Sequence, residues 1–201
     1  MNAIPPLLDS YGALHCPEFD ASNSEHVESI ITLYRAYLLE EFERTKEWPD
    51  GVPIGEPLKT IMMEIEGETI GFASVDVVRY AVELAYIIPA YRRRGITRAV
   101  LKNWRDACPH TLQVKGPISP SARSLCDSLG IPETSQPEEE VAARERLHAE
   151  AYATVAAQCR HRHGHPGRPC QQCCRKHLSR TADVVVRMHV NTVTAGALHA
   201  L

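Results

Sequence analysis

Between Ser22 and Arg44 the apolar residues Val27, Ile30, Ile31, Tyr34, Leu38 and Phe42 recur three and four positions apart, the spacing of one buried helix face. Ser22-Asn23-Ser24-Glu25 just ahead of them has the form of a capping box, so a helix is predicted from there to about Arg44. The polar stretch Thr45 to Pro57 carries Pro49, Gly51, Pro53 and Gly55 and reads as a loop around Trp48. Beyond it the pattern changes to that of strands. Leu58–Ile65 and Thr69–Val78 form two runs joined through Glu66-Gly67-Glu68, where Gly67 supplies the positive φ of a tight hairpin. A second reversal near Arg79-Tyr80 leads into Val82–Ile88, which is apolar except for Glu83 and is read as a buried strand ended by Pro89.

Three arginines, Arg92, Arg93 and Arg94, and then Gly95 separate that strand from a new helical stripe of Ile96, Val100, Leu101 and Trp104. A strand, a basic glycine-containing turn and a helix start aim free N–H groups and the positive end of a helix at one point, which suits an anion such as a phosphate. Thr111–Lys115 is read as a further strand and Ser119–Gly130 as a helix. Pro132 to Pro137 is a polar linker, and Glu138–Gln158, rich in Ala and Glu, is a helix with acidic residues in its first turn. Thr181–Val190 is read as a strand, the alternative being the end of a helix that starts near Gln171; a short strand is expected around Ala13 to Phe19.

Composition narrows the class. The 201 residues are 44% hydrophobic and 23% charged, enough for one globular domain and an appendage, divided here into 1–136 and 137–201. A net charge of −3 argues against a protein that coats nucleic acid with its whole surface. No apolar run approaches the roughly 20 residues that span a bilayer. The first residues lack the basic and apolar regions of a signal peptide, and the cysteines cluster instead of spreading as a disulfide framework, so a reducing, cytoplasmic setting is expected.

Arg92-x-x-Gly95-x-Thr97, set between the strand ending Ile87-Ile88-Pro89-Ala90-Tyr91 and a helix, resembles the acyl-CoA pyrophosphate loop of the GNAT acetyltransferase superfamily. Glu66-Gly67-Glu68-Thr69-Ile70-Gly71-Phe72-Ala73 resembles that family's second hairpin, and the helix ending Leu129-Gly130-Ile131 its later helix. The likeness runs from Leu58 to Ile131. Arg93, where glycine is frequent, and Thr97, in place of the final Gly/Ala, depart from the usual Arg/Gln-x-x-Gly-x-Gly/Ala. The resemblance implies an α+β fold with a mixed, mostly antiparallel sheet flanked by helices. It implies acetyl-CoA as co-substrate and an amine as acceptor. The pyrophosphate would be held by Arg92, Arg93, Arg94, Gly95, Ile96, Thr97 and Arg98, with Ser119 nearby, and the pantetheine arm would pair with the main chain at Ile87 and Ile88. Glu83 is the implied base. Cys126 stands where many relatives carry a tyrosine acting as general acid, so the resemblance makes it the catalytic candidate for protonating the thiolate; a small buried hydrophobe is the plainer reading of that thiol.

The extension has its own chemistry. Cys159, His161, His163, His165, Cys170, Cys173, Cys174 and His177 crowd into 19 residues, counting from 159 to 177. Cys170-x-x-Cys173 has the spacing of two thiolates sharing one tetrahedral ion, and thiolate plus imidazole suits Zn²⁺. The preferred ligands are Cys159, His161, Cys170 and Cys173, with His163, Cys174 and His177 as alternates, and the site is read as structural. The arginines of this segment make it basic, but it has no aromatic residues for base stacking, which argues against a nucleic-acid partner. The leading expectation is therefore an acetyl-CoA-dependent N-acetyltransferase with a zinc-binding extension. The alternative is a catalytically weak GNAT-like binding module acting through its basic knuckle. An incomplete sheet edge would leave room for an oligomeric partner.

Overall fold

The computed structural model describes residues 14–161 and 169–199, with side chains as far as 192. Asn23 starts the first helix, α1 (Ser24–Thr45): its side-chain oxygen accepts from the N–H groups of Glu25 (2.9 Å) and His26 (3.4 Å). The cap is thus Asn23. Ser22 instead donates its hydroxyl to Asp20 at 2.7 Å, because a preceding turn claims it. Lys46, left-handed at φ 61°, closes the helix.

Strands β1 (Leu58–Ile65), β2 (Glu68–Asp76) and β3 (Ala81–Ile87) form an antiparallel meander, continued in parallel by β4 (Gln113–Lys115) and β5 (Glu133–Thr134), in the spatial order β1-β2-β3-β4-β5. Glu66 and Gly67 both hold positive φ in the first hairpin, as a turn matched to strand twist requires. The expected linker after Ile131 contributes β5, and the expected N-terminal strand reduces to two isolated bridges from His15 and Glu18 to β1. Where β2 and β3 meet, Gly71 leaves no room for a side chain: a Cβ there would lie 2.4 Å from the Tyr86 carbonyl oxygen.

Helices α2 (Ile96–Ala107) and α3 (Pro120–Leu129) cover one face of the sheet, burying Ile96, Val100, Leu101 and Trp104 against Ile70, Ala73, Val75 and Val114. α1 covers the other face, with α4 (Glu138–Gln158) beside it and α5 (Gln171–His199) along it. The strand expected at Thr181–Val190 is part of α5. Cys174, Leu178, Ala182 and Val186, each four residues apart and at most 2% exposed, pack onto α1, while Val184 is 62% exposed. Only a helix sends 182 and 186 one way and 184 the other. The protein is therefore α+β, a mixed and mostly antiparallel sheet flanked by helices. Among the described residues no helix is long and apolar enough to cross a membrane.

Candidate functional site

β3 carries one residue more than its partner. Ser74 faces Leu84 but Val75 faces Val82, so Glu83 is a bulge. Its consequence is visible in the packing: Val82 and Leu84, two apart, enter the cores on opposite faces of the sheet. On its other side β3 pairs with β4 only through Ala81–Gln113 and Val82–Val114. Beyond Val82 the two strands part, and Ala85, in the middle of the central strand, is exposed. Glu83 and Lys115, the residues just past the last pair, meet at the fork with Oε1–Nζ 2.7 Å. Glu83 is only 11% exposed there.

The fork opens toward the arginine-rich turn. Ile88 N–H donates to the Ile70 carbonyl (2.9 Å) and the Ile87 carbonyl accepts from Arg92 Nε (2.7 Å), so these two main-chain groups are already engaged inside the protein. A 3-10 turn at Pro89–Tyr91 follows. Arg92 then turns toward α1: Nη2 donates to Glu40 Oε2 at 2.7 Å, and its guanidinium lies 5.3 Å from the Tyr86 ring centre. Arg94 stacks on Tyr91 at 4.8 Å. Arg93 takes φ 62° and Gly95 φ 79°, so the turn uses the left-handed region at both positions, one of them a non-glycine residue. Arg93, Arg98 and the Gly95 backbone are exposed, and Ile96 is buried. The first intrahelical bond of α2, Ala99 N–H to Gly95 O at 2.9 Å, leaves the N–H groups of Ile96, Thr97 and Arg98 pointing out of the helix start. Ser119 caps α3, accepting from Ala122 N–H at 3.2 Å.

Cys126 lies in the apolar layer between α3 and the sheet, 3% exposed. Burial, then the charges of Asp127 and Glu133, push its thiol up, so it holds its proton. The surroundings are those of a core residue.

Opposite α2, a cleft of about 420 Å³ is bounded by the loop before β1, the ends of β2 and β4, Glu83 and one residue of α5, His189. The loop is held rigidly. Tyr34 and Tyr37 of α1 donate their hydroxyls to the carbonyls of Gly51 (2.8 Å) and Asp50 (2.9 Å), and the Thr60 hydroxyl donates to Pro53 O at 2.6 Å. Burial pushes both tyrosines above their ordinary range. Asp50 also pairs with Arg144 of α4 (3.3 Å). Trp48 packs among Phe42, Tyr152 and His177, tying the loop to α1, α4 and α5 and not to the cleft. Sequence reasoning did not single out Lys115 or His189. Lys115 ends a short strand run of no particular note, and His189 lies in the segment read as a strand.

The second cluster joins the end of α4 to the start of α5. Cys159 Sγ, His161 Nδ1, Cys170 Sγ and Cys173 Sγ all lie within 4.8 Å of one another. Nδ1 of His161 stands 3.3 Å from the Cys170 and Cys173 sulfurs and 3.9 Å from that of Cys159. A tetrahedral ion bound by sulfur and nitrogen keeps its ligands roughly 3.4–3.8 Å apart, so the four atoms are close to, and at their widest somewhat beyond, the spacing of such a ligand set. Main-chain N–H groups of Cys170 and Cys173 point at the Cys159 and Cys170 sulfurs (3.5 Å each), which favours thiolates. Without a cation, desolvation and hydrogen bonds with Cys159 and Cys170 push the Cys173 thiol up to about 12; a dication reverses that balance. Cys174 is buried in the α1–α5 core and His177 packs at a tilt against Trp48, so neither joins the four; His163 and His165 lie outside the described residues.

No protein-family model and no curated protein matches the chain. Among solved structures, AAC(6')-Iy in complex with the bisubstrate analog CoA-S-monomethyl-acetylneamine aligns with 63% of this chain and 95% of its own, at 19% identity and a TM-score of 0.39. A tandem GNAT protein from the clavulanic acid biosynthesis pathway, without acetyl-CoA, aligns with 58% of this chain and 43% of its own, at 17% identity and a TM-score of 0.43.

Proposed function

We propose that the protein transfers an acyl group from an acyl-coenzyme A, acetyl-CoA first among them, to an amine. The observation that carries this reading is the fork between β3 and β4, opening from the Glu83–Lys115 pair toward a turn of free N–H groups and exposed arginines at the start of α2. From Val82 to Ile87 the strand spans about 17 Å, the distance an extended thioester-bearing arm has to cover between an anchored pyrophosphate and the fork. Ile96, Thr97 and Arg98 N–H groups would bind the pyrophosphate, with Arg93, Arg94 and Arg98 neutralising it. Arg92 is committed to Glu40 and acts by holding the turn against α1. The resemblance to GNAT acetyltransferases supports the same donor, as does the coenzyme A moiety in the analog bound by AAC(6')-Iy.

In the reaction the amine nitrogen attacks the thioester carbonyl carbon, the C–S bond breaks, the ammonium proton leaves and the released thiolate takes up a proton. The fork brings donor and acceptor together from opposite faces of the sheet, so most of the rate gain is positional. Glu83, paired with Lys115, would mark the end of the fork where the amine meets the thioester, and the open main-chain edge of β3 would donate to the carbonyl oxygen as negative charge develops there. The buried Cys126 thiol is read as packing, with solvent protonating the thiolate. Calorimetry with coenzyme A tests the reading: micromolar binding that Gly95→Val weakens at least tenfold is expected, and no heat from the wild type would refute it.

The Cys159, His161, Cys170 and Cys173 cluster is read as a Zn²⁺ site. Three thiolates and an imidazole fill a tetrahedron with no position left for water, so the ion would be structural, fastening α4 to α5, and takes no part in the transfer.

A further inference from the structure

The histidine that α5 delivers to the cleft faces a set of groups whose charges are otherwise matched. Asp76 accepts from the N–H groups of Val78 and Arg79 (2.8 Å each), and Arg79 pairs with Glu140 at 3.0 Å. Glu83 and Lys115 neutralise one another at 2.7 Å. That leaves exposed Glu56 at the rim and the half-buried imidazole of His189 as the remaining titratable side chains lining the cleft. The ring is not there by accident of a mobile surface helix. α5 is fixed by the buried stripe that ends at Val186, one turn before His189, and the ring lies against Gly55. A Cβ on Gly55 would stand 3.0 Å from His189 Cε1 and 3.2 Å from Nδ1, at a φ of +148° that side chains avoid. Loop and helix are thus shaped to each other around this ring.

We propose that His189 is the proton acceptor for the amine, and that the acceptor is a small free amine that enters the cleft from the α5 side. This rests on the acyl-transfer reading and deepens it. The amine arrives as an ammonium, drawn by Glu56 at the rim; His189 takes one proton from its nitrogen, the nitrogen lone pair then forms the C–N bond as the C–S bond breaks, the second nitrogen proton goes to the departing coenzyme A thiolate, and the imidazolium returns the first to solvent. A neutral imidazole nitrogen can accept that proton, whereas the Glu83 oxygen is already taken up by Lys115. At about 420 Å³ the cleft is of a size that admits a small polyamine or amino sugar.

The test follows thiol release from acetyl-CoA with spermidine, histamine, glucosamine and free lysine as acceptors, for the wild type, His189→Gln and His189→Ala, across pH 5.5 to 9. The expected result is an acid limb in the wild-type kcat/KM profile, and a rate roughly 100-fold lower with that limb gone in His189→Gln. The KM for acetyl-CoA and the unfolding temperature of His189→Gln should stay near wild type. A His189→Gln enzyme with wild-type rate and limb overturns this assignment alone, as does a wild type that binds coenzyme A yet acylates none of the four amines. A wild type that does not bind coenzyme A overturns the transferase reading, and the role of His189 with it.

Discussion

Val184→Ala and Val186→Ala, made separately, probe whether the C-terminal segment is the helix that carries His189. The two valines are two residues apart, so a strand would give them one environment. In α5 they are on opposite sides: Val186 is 0% exposed and packs on α1, Val184 is 62% exposed. Truncating Val186 removes two buried methyl groups, about 1.6 kcal/mol of transfer free energy. An unfilled cavity adds to that, so about 2–3 kcal/mol is expected in total. For a chain of this length each kcal/mol is worth roughly 2–4 °C, so the melting temperature should fall by about 4–12 °C. Val184→Ala should stay within about 0.5 kcal/mol of wild type, on the stabilising side if anything, since alanine is the better helix former. Urea titration followed by circular dichroism, with the slope unchanged between variants, measures both. Equal losses at the two positions would refute the packing of α5 on α1.

The zinc reading predicts one equivalent of zinc per chain by elemental analysis, lost in Cys173→Ser along with several degrees of thermal stability; a metal-free wild type of unchanged stability would contradict it. Gly71→Ala should cost at least about 1–3 kcal/mol, because the atom it would crowd at 2.4 Å is a backbone oxygen that cannot swing away; a soluble variant of wild-type stability by urea titration would show that the strands separate more easily than described. Hydrogen bonds from Arg92 hold the Glu40 carboxyl below the usual carboxylate range. A lowered folded-state pKa contributes stability above the unfolded value and loses it as pH falls through the folded one, so the deficit of Glu40→Gln should be constant at neutral pH, begin to shrink as pH falls below the unfolded value of roughly 4.3, and vanish only below the lower folded one. The deficit itself should be small, since the pair is half-exposed; one that grows on acidification would reverse the assigned sign.

Local patterns explain why much of this architecture was legible in the chain. The α1 stripe, the Glu66-Gly67 hairpin, the run ending at Pro89 and the α2 stripe each depend on neighbours a few residues away, and backbone geometry at that range leaves few choices. The four grouped donors Cys159, His161, Cys170 and Cys173 belong to the same kind of signal, since 14 residues of separation from 159 to 173 keep them within reach of one ion. The C-terminal helix was misread for a reason of the same physics. Val184, Val185 and Val186 favour a strand locally, and the stripe that overrides them runs through Cys174 and Ala182, small residues that count for little until α1 is placed against them.

Sequence alone determined the hairpin, the basic turn at a helix start and the grouping of four cysteine and histidine donors, because each is a property of chain geometry and residue type over short distances. Only the tertiary structure decided that β3 bulges at Glu83, that β4 leaves it after two residue pairs, that Lys115 answers that carboxylate and that His189 comes to rest on Gly55. Those contacts join segments tens to more than a hundred residues apart, and what selects them is the filling of two apolar cores, a condition that no window of the sequence contains.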